Sequence, residues 1–325
     1  MDSSITYFGV DVSKSTLQIA HQLSDGTWQQ TCILNELGGI DDWLSTLKLA
    51  DSWFIFEYTG TYSQKLCYCL QLLDAKFTIL TPSQSKGFGQ TLKKISKTDK
   101  QDAITLALFG LKMIPQPSII ADQSLQHKRQ RYKYISVLKS DRQAFTNRLH
   151  ALEFDPNADD LVRKSIESMI AYLDGQIQEI HAQLFTLDDD DFKRIERLMT
   201  KVVGIGKESA QALILATNGF ENFKSAKEVS KFIGTAPQDR QSGSSIKGRS
   251  SINKAGVKSV RTTLYLAAMN AARYNHACKD IFTRLRAKGK PYKVAIIAVV
   301  NKLLKQLFAV VKNNSIFDNN LCLTK

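Results

Sequence analysis

The stretch ITYFGVDVSKSTLQIAHQLSDGTWQQTCIL, residues 5–34, decides the fold. Ile5, Tyr7, Gly9 and Asp11 fall on one side of an extended chain, and Phe8, Val10 and Val12 on the other. That alternation predicts a strand over residues 5–12. A second strand is expected at Thr16–Gln22 and a third at about Trp28–Leu34, joined through the hairpin signal Asp25-Gly26. Beyond them, Ile40–Leu49 reads as an amphipathic helix, Trp53–Tyr58 as a short aromatic strand, Tyr62–Leu73 as a helix, and Phe77–Leu80 as a last strand before Pro82.

Three antiparallel strands followed by helix, strand, helix and strand is the element order of a ribonuclease H-like domain. A Rossmann domain would alternate strand and helix from its start. The rest of the chain reads as helical. Residues 124–151 and 160–187 are long and polar, with a break at Phe154-Asp155-Pro156-Asn157, which predicts an antiparallel helical hairpin or coiled-coil arm. From Asp189 the pattern is short helices. Lys201-Val202-Val203-Gly204-Ile205-Gly206-Lys207, between helices expected at Phe192–Met199 and Glu208–Ala216, resembles a helix-hairpin-helix turn whose glycines let backbone N–H groups approach a phosphate. A plain helix turn fits it as well. Residues 238–256 are rich in Ser, Gly and basic residues and read as a long mobile loop. Helices at Ala255–Ala272 and about Val294–Val311 close the chain. The expected fold class is therefore α/β plus α. Residues 1–117 form a ribonuclease H-like domain, 118–188 the arm, and 189–325 a mainly helical C-terminal domain.

Charge separates these parts. The net charge of +13 is made of −4 over residues 1–88, +8 over 89–150, −7 over 151–200 and +16 over 201–325. From Arg240 to Lys293 there are 13 basic residues and a single acid, Asp280. A solvated basic face is the plain reading, but so one-sided a run repels itself without a polyanion. Nucleic acid is the expected partner. Lys254, Lys258 and Arg261 recur at helical spacing beside an apolar stripe of Val257, Val260, Leu264 and Ala268. Five Cys without C-x-x-C spacing argue for a reducing compartment and against a zinc site. The longest apolar run, Val294 to Val300, spans seven residues, short of a membrane crossing. The N-terminal MDSSITYFGVDVSKS lacks the basic and apolar regions of a signal peptide.

Four carboxylates stand out. Asp11 ends the first strand on the face of Tyr7 and Gly9, and Glu57 ends the aromatic strand on the face of Trp53 and Ile55. Asp99 and Asp102 are three apart on one helix face that Leu106, Phe109 and Met113 continue. Singly, Asp99 is explained as a helix cap and Asp11 as a turn residue. Jointly, the four can meet at one edge of a small sheet. There their mutual repulsion calls for hard divalent cations, Mg²⁺ or Mn²⁺, two of which would serve phosphoryl transfer.

Six segments in order carry a resemblance to a family. They are GVDVSK (9–14), EYTGTY (57–62), KTDKQDA (97–103), VGIG (203–206), FIGTAP (232–237) and SGSSIKG (242–248). The chain resembles the DEDD transposases of the insertion-sequence 110 family and the related Piv-type DNA invertases. It departs at Ala236, where many relatives have a Leu-Thr-Pro stretch. The resemblance implies a RuvC-like domain with Asp11, Glu57, Asp99 and Asp102 as the metal-binding tetrad, and a nucleophilic Ser242 in the C-terminal domain. Ser244, Ser245, Ser250 and Ser251 are rivals in the same loop. It further implies DNA contacts by the basic residues of that region, Lys247, Arg249, Lys254, Lys258 and Arg261. It implies subunits that assemble from dimer to tetramer, in many members a structured guide RNA, and a cytoplasmic, nucleoid-associated life in a prokaryote. The expected activity is cleavage and rejoining of DNA. The competing reading is a hydrolytic, metal-dependent junction or RNA nuclease of the ribonuclease H superfamily that forms no covalent intermediate.

Overall fold

The structure is a computed structural model. It describes residues 5–92, 99–118, 122–184, 190–238, 241–242, 246–247, 251–252 and 256–320. The chain divides into two compact units, Met1–Ala121 and Asp122–Lys325.

The first unit is a five-stranded sheet in the order β3-β2-β1-β4-β5. Its strands are β1 (Thr6–Val12), β2 (Thr16–Gln22), β3 (Trp28–Leu34), β4 (Ser52–Glu57) and β5 (Lys76–Leu80). β1 pairs antiparallel with β2 and parallel with β4. The alternation read from the sequence sorts the side chains into two layers. Phe8, Val10, Val12, Leu17, Ile19, Phe54 and Phe56 pack with Ile40 and Leu44 of α1 (Leu37–Ser45) and with Leu66 and Leu70 of α2 (Gln64–Leu72). On the opposite face Tyr7, Trp53, Ile55 and Leu80 pack with Leu106 and Phe109 of α4 (Asp99–Met113). Met113, expected to continue that face, is instead 58% exposed. At helical spacing it lies just past the last residue that still reaches the sheet.

Between β5 and α4 lies a helix that periodicity did not reveal, α3 (Pro82–Thr91). It buries no residue, so it carries no apolar stripe. A capping box between Thr81 and Gln84, with proline in the first turn, sets its start.

The second unit opens with a helical hairpin, α5 (Gln123–Leu152) and α6 (Asp160–Ala182), pinned by an ion pair from Arg142 to Asp174. The hairpin is anchored at its base, where Arg129 Nε donates to Leu215 O at 2.7 Å. The remaining helices are α7 (Asp190–Thr200), α8 (Lys207–Thr217), α9 (Ala226–Ile233), α10 (Lys258–Tyr274), α11 (His276–Ala287) and α12 (Tyr292–Lys312). They enclose one apolar core. α12 is long and apolar enough to cross a membrane by length and composition. However, Ile296, Val299, Val300, Leu303, Leu304 and Leu307 are all buried in that core, so its apolarity is that of a central core helix.

Candidate active site

Two of the four carboxylates are placed by strand register. The parallel ladder of β1 on β4 runs from Thr6 opposite Ser52 to Val10 opposite Phe56. Continued by one residue, that register would set Asp11 beside Glu57. Register partners share a face and neighbouring strands lie about 4.8 Å apart, so both carboxylates leave the same edge on the α4 side.

The course of α4 brings the other two. A Cβ on Gly9 would lie 2.0 Å from Ala103 O and 2.3 Å from Ala107 N. One on Gly110 would lie 2.4 Å from Tyr7 Cδ1. The helix backbone therefore rests directly on β1, a seat only glycine allows. Gln30 Nε2 on β3 holds the first turn by donating to Lys100 O at 3.1 Å. As β1 rises from Tyr7 to Gly9, α4 descends from Gly110 to between Ala103 and Ala107. Two strand residues span about 6.6 Å and about five helix residues 7.5 Å, so the two run nearly antiparallel. One more such step brings Asp11 level with about position 100, between Asp99 and Asp102.

Asp11 and Asp102 both have interaction partners. The side chain of Asp99 lies outside the described residues. Among the described residues no three His, Cys, Asp or Glu side chains are grouped closely enough to hold a metal ion. The donor chemistry fits nonetheless: the four predicted ligands are carboxylates, the oxygen donors that Mg²⁺ and Mn²⁺ take.

The loops behind the carboxylates are tied by residues that the sequence did not single out. Asn35 is 2% exposed, and its Nδ2 donates to Ser13 O at 2.8 Å and to Tyr62 O at 3.0 Å. One side chain thus joins the turn after Asp11 to the turn after Glu57. Thr59 Oγ1 folds back on Glu57 O at 3.1 Å and makes no side-chain cap to the following helical turn. No local pattern marks Asn35 or Gln30, because their partners are remote in sequence.

In the second unit the segment read as an open loop carries two short ladders. Pro237–Gln238 pairs with Ser251–Ile252, and Gln241–Ser242 with Ile246–Lys247. Ser242 therefore stands on a paired strand, opposite Ile246. Two-residue strands have no periodicity to read. Ser244, Ser245, Ser250, Arg249 and Lys254 lie outside the described residues, as do the side chains of Ser242, Lys247 and Ser251. Lys258 is exposed in the first turn of α10. Arg261 is half-buried, and its Nη1 donates to Ile233 O at 2.8 Å and to Gly256 O at 3.1 Å.

In the glycine turn before α8, Gly204 has φ of +101°, and a Cβ there would lie 2.6 Å from Ala271 Cβ and 2.8 Å from Ala271 Cα. Its missing side chain makes room for α10. Gly206, the N-cap of α8, has nothing within 4 Å of a Cβ and makes no side-chain cap.

A five-stranded mixed sheet in the order β3-β2-β1-β4-β5, followed by a mostly helical second unit, is consistent with a RuvC-like DEDD transposase domain. Residues 8–152 match a DEDD-type transposase family, and residues 196–283 match the transposase IS116/IS110/IS902 family. The chain is 32% identical to the pilin gene-inverting protein of Moraxella bovis, over 98% of this chain and 99% of that one. The pilin gene-inverting protein of Moraxella lacunata is equally similar, at 32% over the same shares. An uncharacterized 43.6 kDa protein of insertion element IS110 from Streptomyces coelicolor is 22% identical over 50% of this chain and 39% of its own. The chain belongs to the IS110 family of transposases.

Proposed function

We propose that the chain is a DNA recombinase, a transposase or invertase, that cuts and rejoins strands with a carboxylate tetrad and a serine. The observation that supports this reading is the register of β1 on β4, which, continued by one residue, would set Asp11 beside Glu57. It occurs in a chain similar end to end to gene-inverting proteins.

Asp11, Glu57, Asp99 and Asp102 would hold one or two divalent cations, Mg²⁺ or Mn²⁺. Such ions, when bound, neutralise a phosphate and stabilise its entering and leaving oxygens. The chain's own part is positional. β1 and β4 fix Asp11 and Glu57 relative to each other, Gly9 and Gln30 fix the height of α4 above them, and Asn35 ties the two turns. Ser242 Oγ would attack the scissile phosphorus as the P–O bond to the deoxyribose oxygen of the cut strand breaks. The serine gives up its proton and the cut strand leaves as a free hydroxyl, so attack by a hydroxyl on the Ser–phosphate bond can rejoin a strand without an energy source. Lys247, Arg249, Lys254 and Lys258 contact the DNA backbone. Arg261 contributes by bracing α10 against the segment ahead of it. The ribonuclease H-like domain, the arm and the C-terminal domain are three working parts of subunits that assemble as dimers and tetramers. They act in the cytoplasm on the nucleoid; whether they use a structured guide RNA, as many members of the family do, is tested by sequencing the RNA that copurifies with the chain.

The test is strand cleavage and DNA binding measured side by side on DNA from the gene's own flanks. Glu57→Ala and Asp102→Ala are expected to lose cleavage while binding within about twofold of wild type, since affinity comes from Lys and Arg. Chelation should reproduce their phenotype in the wild type. A carboxylate variant that still cleaves at the wild-type rate removes that residue from the site.

A further inference from the structure

The second unit contains a cavity of about 450 Å³ bounded by the end of α6, one face of α7 and the start of α8. That volume falls in the range of small-ligand sites. Lys193 and Arg197 reach it from successive positions on one face of α7, Lys207 from the first residue of α8, and His181 from the end of α6. Among the described residues the one acid in its wall is Glu196. The start of α8 faces no side-chain cap, because its N-cap is Gly206. Glu208, the acid in the first turn of α8, is taken by Lys139. Three cations against one carboxylate, at an uncapped helix start, make a seat for an anionic oxygen group.

A second and independent observation comes from Gln211, which also lines the cavity and is 2% exposed. Its Nε2 donates to Glu196 Oε1 at 2.7 Å. Because Glu196 offers only acceptors, this bond fixes which way the amide is turned. Gln211 Oε1 is then a buried acceptor with no hydrogen-bond partner among the described residues. A buried acceptor without a donor is a standing cost to the fold, and such groups call for an explanation. The cavity therefore offers a phosphate-seeking wall and, next to it, an acceptor that needs a donor. A bare phosphodiester satisfies the first and not the second.

We propose that this cavity binds one nucleotide of a nucleic-acid strand. Its phosphate is held by Lys193, Arg197 and Lys207, and a hydrogen-bond donor of the same nucleotide is given to Gln211 Oε1. Two groups on a nucleotide can be that donor: a ribose 2′-hydroxyl, or an N–H on the base edge. The site is separate from the carboxylates and goes beyond the recombinase reading.

The experiment is fluorescence anisotropy on the full chain with labelled single strands of about 12 nucleotides, oligouridylate and oligodeoxyuridylate, which differ only in the 2′-hydroxyl. Arg197→Ala with Lys207→Ala should weaken both strands and lower the salt slope by about 0.7, the value for one lost single-strand phosphate contact. Gln211→Leu removes the acceptor. It should weaken the ribo strand alone by about tenfold if the 2′-hydroxyl is the donor, and both strands by about tenfold if the base is. Unchanged affinity and slope in the double variant, or unchanged binding of both strands to Gln211→Leu, overturns the proposal. Should Gln211→Leu fail to fold, competition on the wild type decides. Uridine 5′-monophosphate should displace the labelled strand about tenfold better than inorganic phosphate, and equal competition overturns the site. These measurements read single-strand binding and not cleavage, so failure here leaves the cleavage account intact, and failure there leaves this site intact.

Discussion

Replacing Gly9 by alanine tests how the carboxylates are brought together. The added methyl would lie 2.0 Å from Ala103 O and 2.3 Å from Ala107 N. Ordinary contact begins near 3.4 Å, so α4 must retreat from β1 by about 1.4 Å. Both obstacles are helix backbone and cannot be turned aside by a rotamer change. The cost should reach the upper end of the overpacking range, about 3 kcal/mol. The same retreat carries Asp99 and Asp102 away from Asp11 and Glu57. A displacement of about 1 Å costs about a hundredfold in a positioned reaction, so cleavage should fall by at least that factor. Gly38→Ala in α1 is the control. Nothing lies within 4 Å of its Cβ, and helix propensity predicts a gain of up to about 1 kcal/mol with cleavage unchanged. Urea unfolding followed on the first unit gives the stability, and single-turnover cleavage of a labelled duplex gives the rate. A Gly9→Ala protein that cleaves within about threefold of wild type would refute the claim that the seat of α4 on β1 positions the acids.

Two further outcomes follow from the first unit. Asn35→Ala removes both Nδ2 bonds to the turns after Asp11 and Glu57. It should cost about 2–4 kcal/mol by urea unfolding and lower cleavage, with no rescue by Asn35→Asp, whose carboxylate has no donor to give. His21, tilted against Phe8 with ring centroids 4.6 Å apart, has its pKa held below the ordinary 6.5 by burial. A lowered pKa means the folded state favours the neutral ring. The stability it contributes is present above about pH 6.5 and is lost as pH falls through the folded value. The difference in unfolding midpoint between wild type and His21→Gln should therefore shrink on acidification from neutral pH, and a difference independent of pH would contradict this.

Much of the first unit was legible in residues 5–80. β2 and β3 match their expected bounds, because Asp25-Gly26 marks the turn between them and Gly26, with φ of +85°, closes it. The first helix starts at Leu37, three residues before its expected start at Ile40. Gly38 and Gly39 conceal that start, since glycine is a poor helix former. Yet a Cβ on Gly39 would press on Leu34 O at 3.3 Å, so the residue serves the close approach of helix to strand. The start of α3 was written in Thr81-Pro82-Ser83-Gln84, but a helix with no buried face gives periodicity nothing to detect. At the site, Asp11 and Glu57 were legible because strand ends and faces follow from a period of two. The supports Gln30 and Asn35 were not, because hydrogen bonds between distant segments leave no spacing signal. The glycine turn at 203–206 was open between a helix-hairpin-helix turn and a plain helix turn, and its sequence did not reveal that Gly204 gives room to Ala271 of α10.

The most direct measurement of the central claim is a denaturing gel of labelled flanking DNA incubated with wild type, Ser242→Ala and Glu57→Ala, each with Mg²⁺ and with chelator. The account predicts a slow-migrating protein–DNA adduct from the wild type with Mg²⁺ alone, and none from either variant or under chelation. An adduct that persists in Ser242→Ala and disappears in Ser244→Ala or Ser245→Ala would move the nucleophile to that neighbour. Cleavage by the wild type with no adduct under any condition would contradict the account and identify a hydrolytic nuclease.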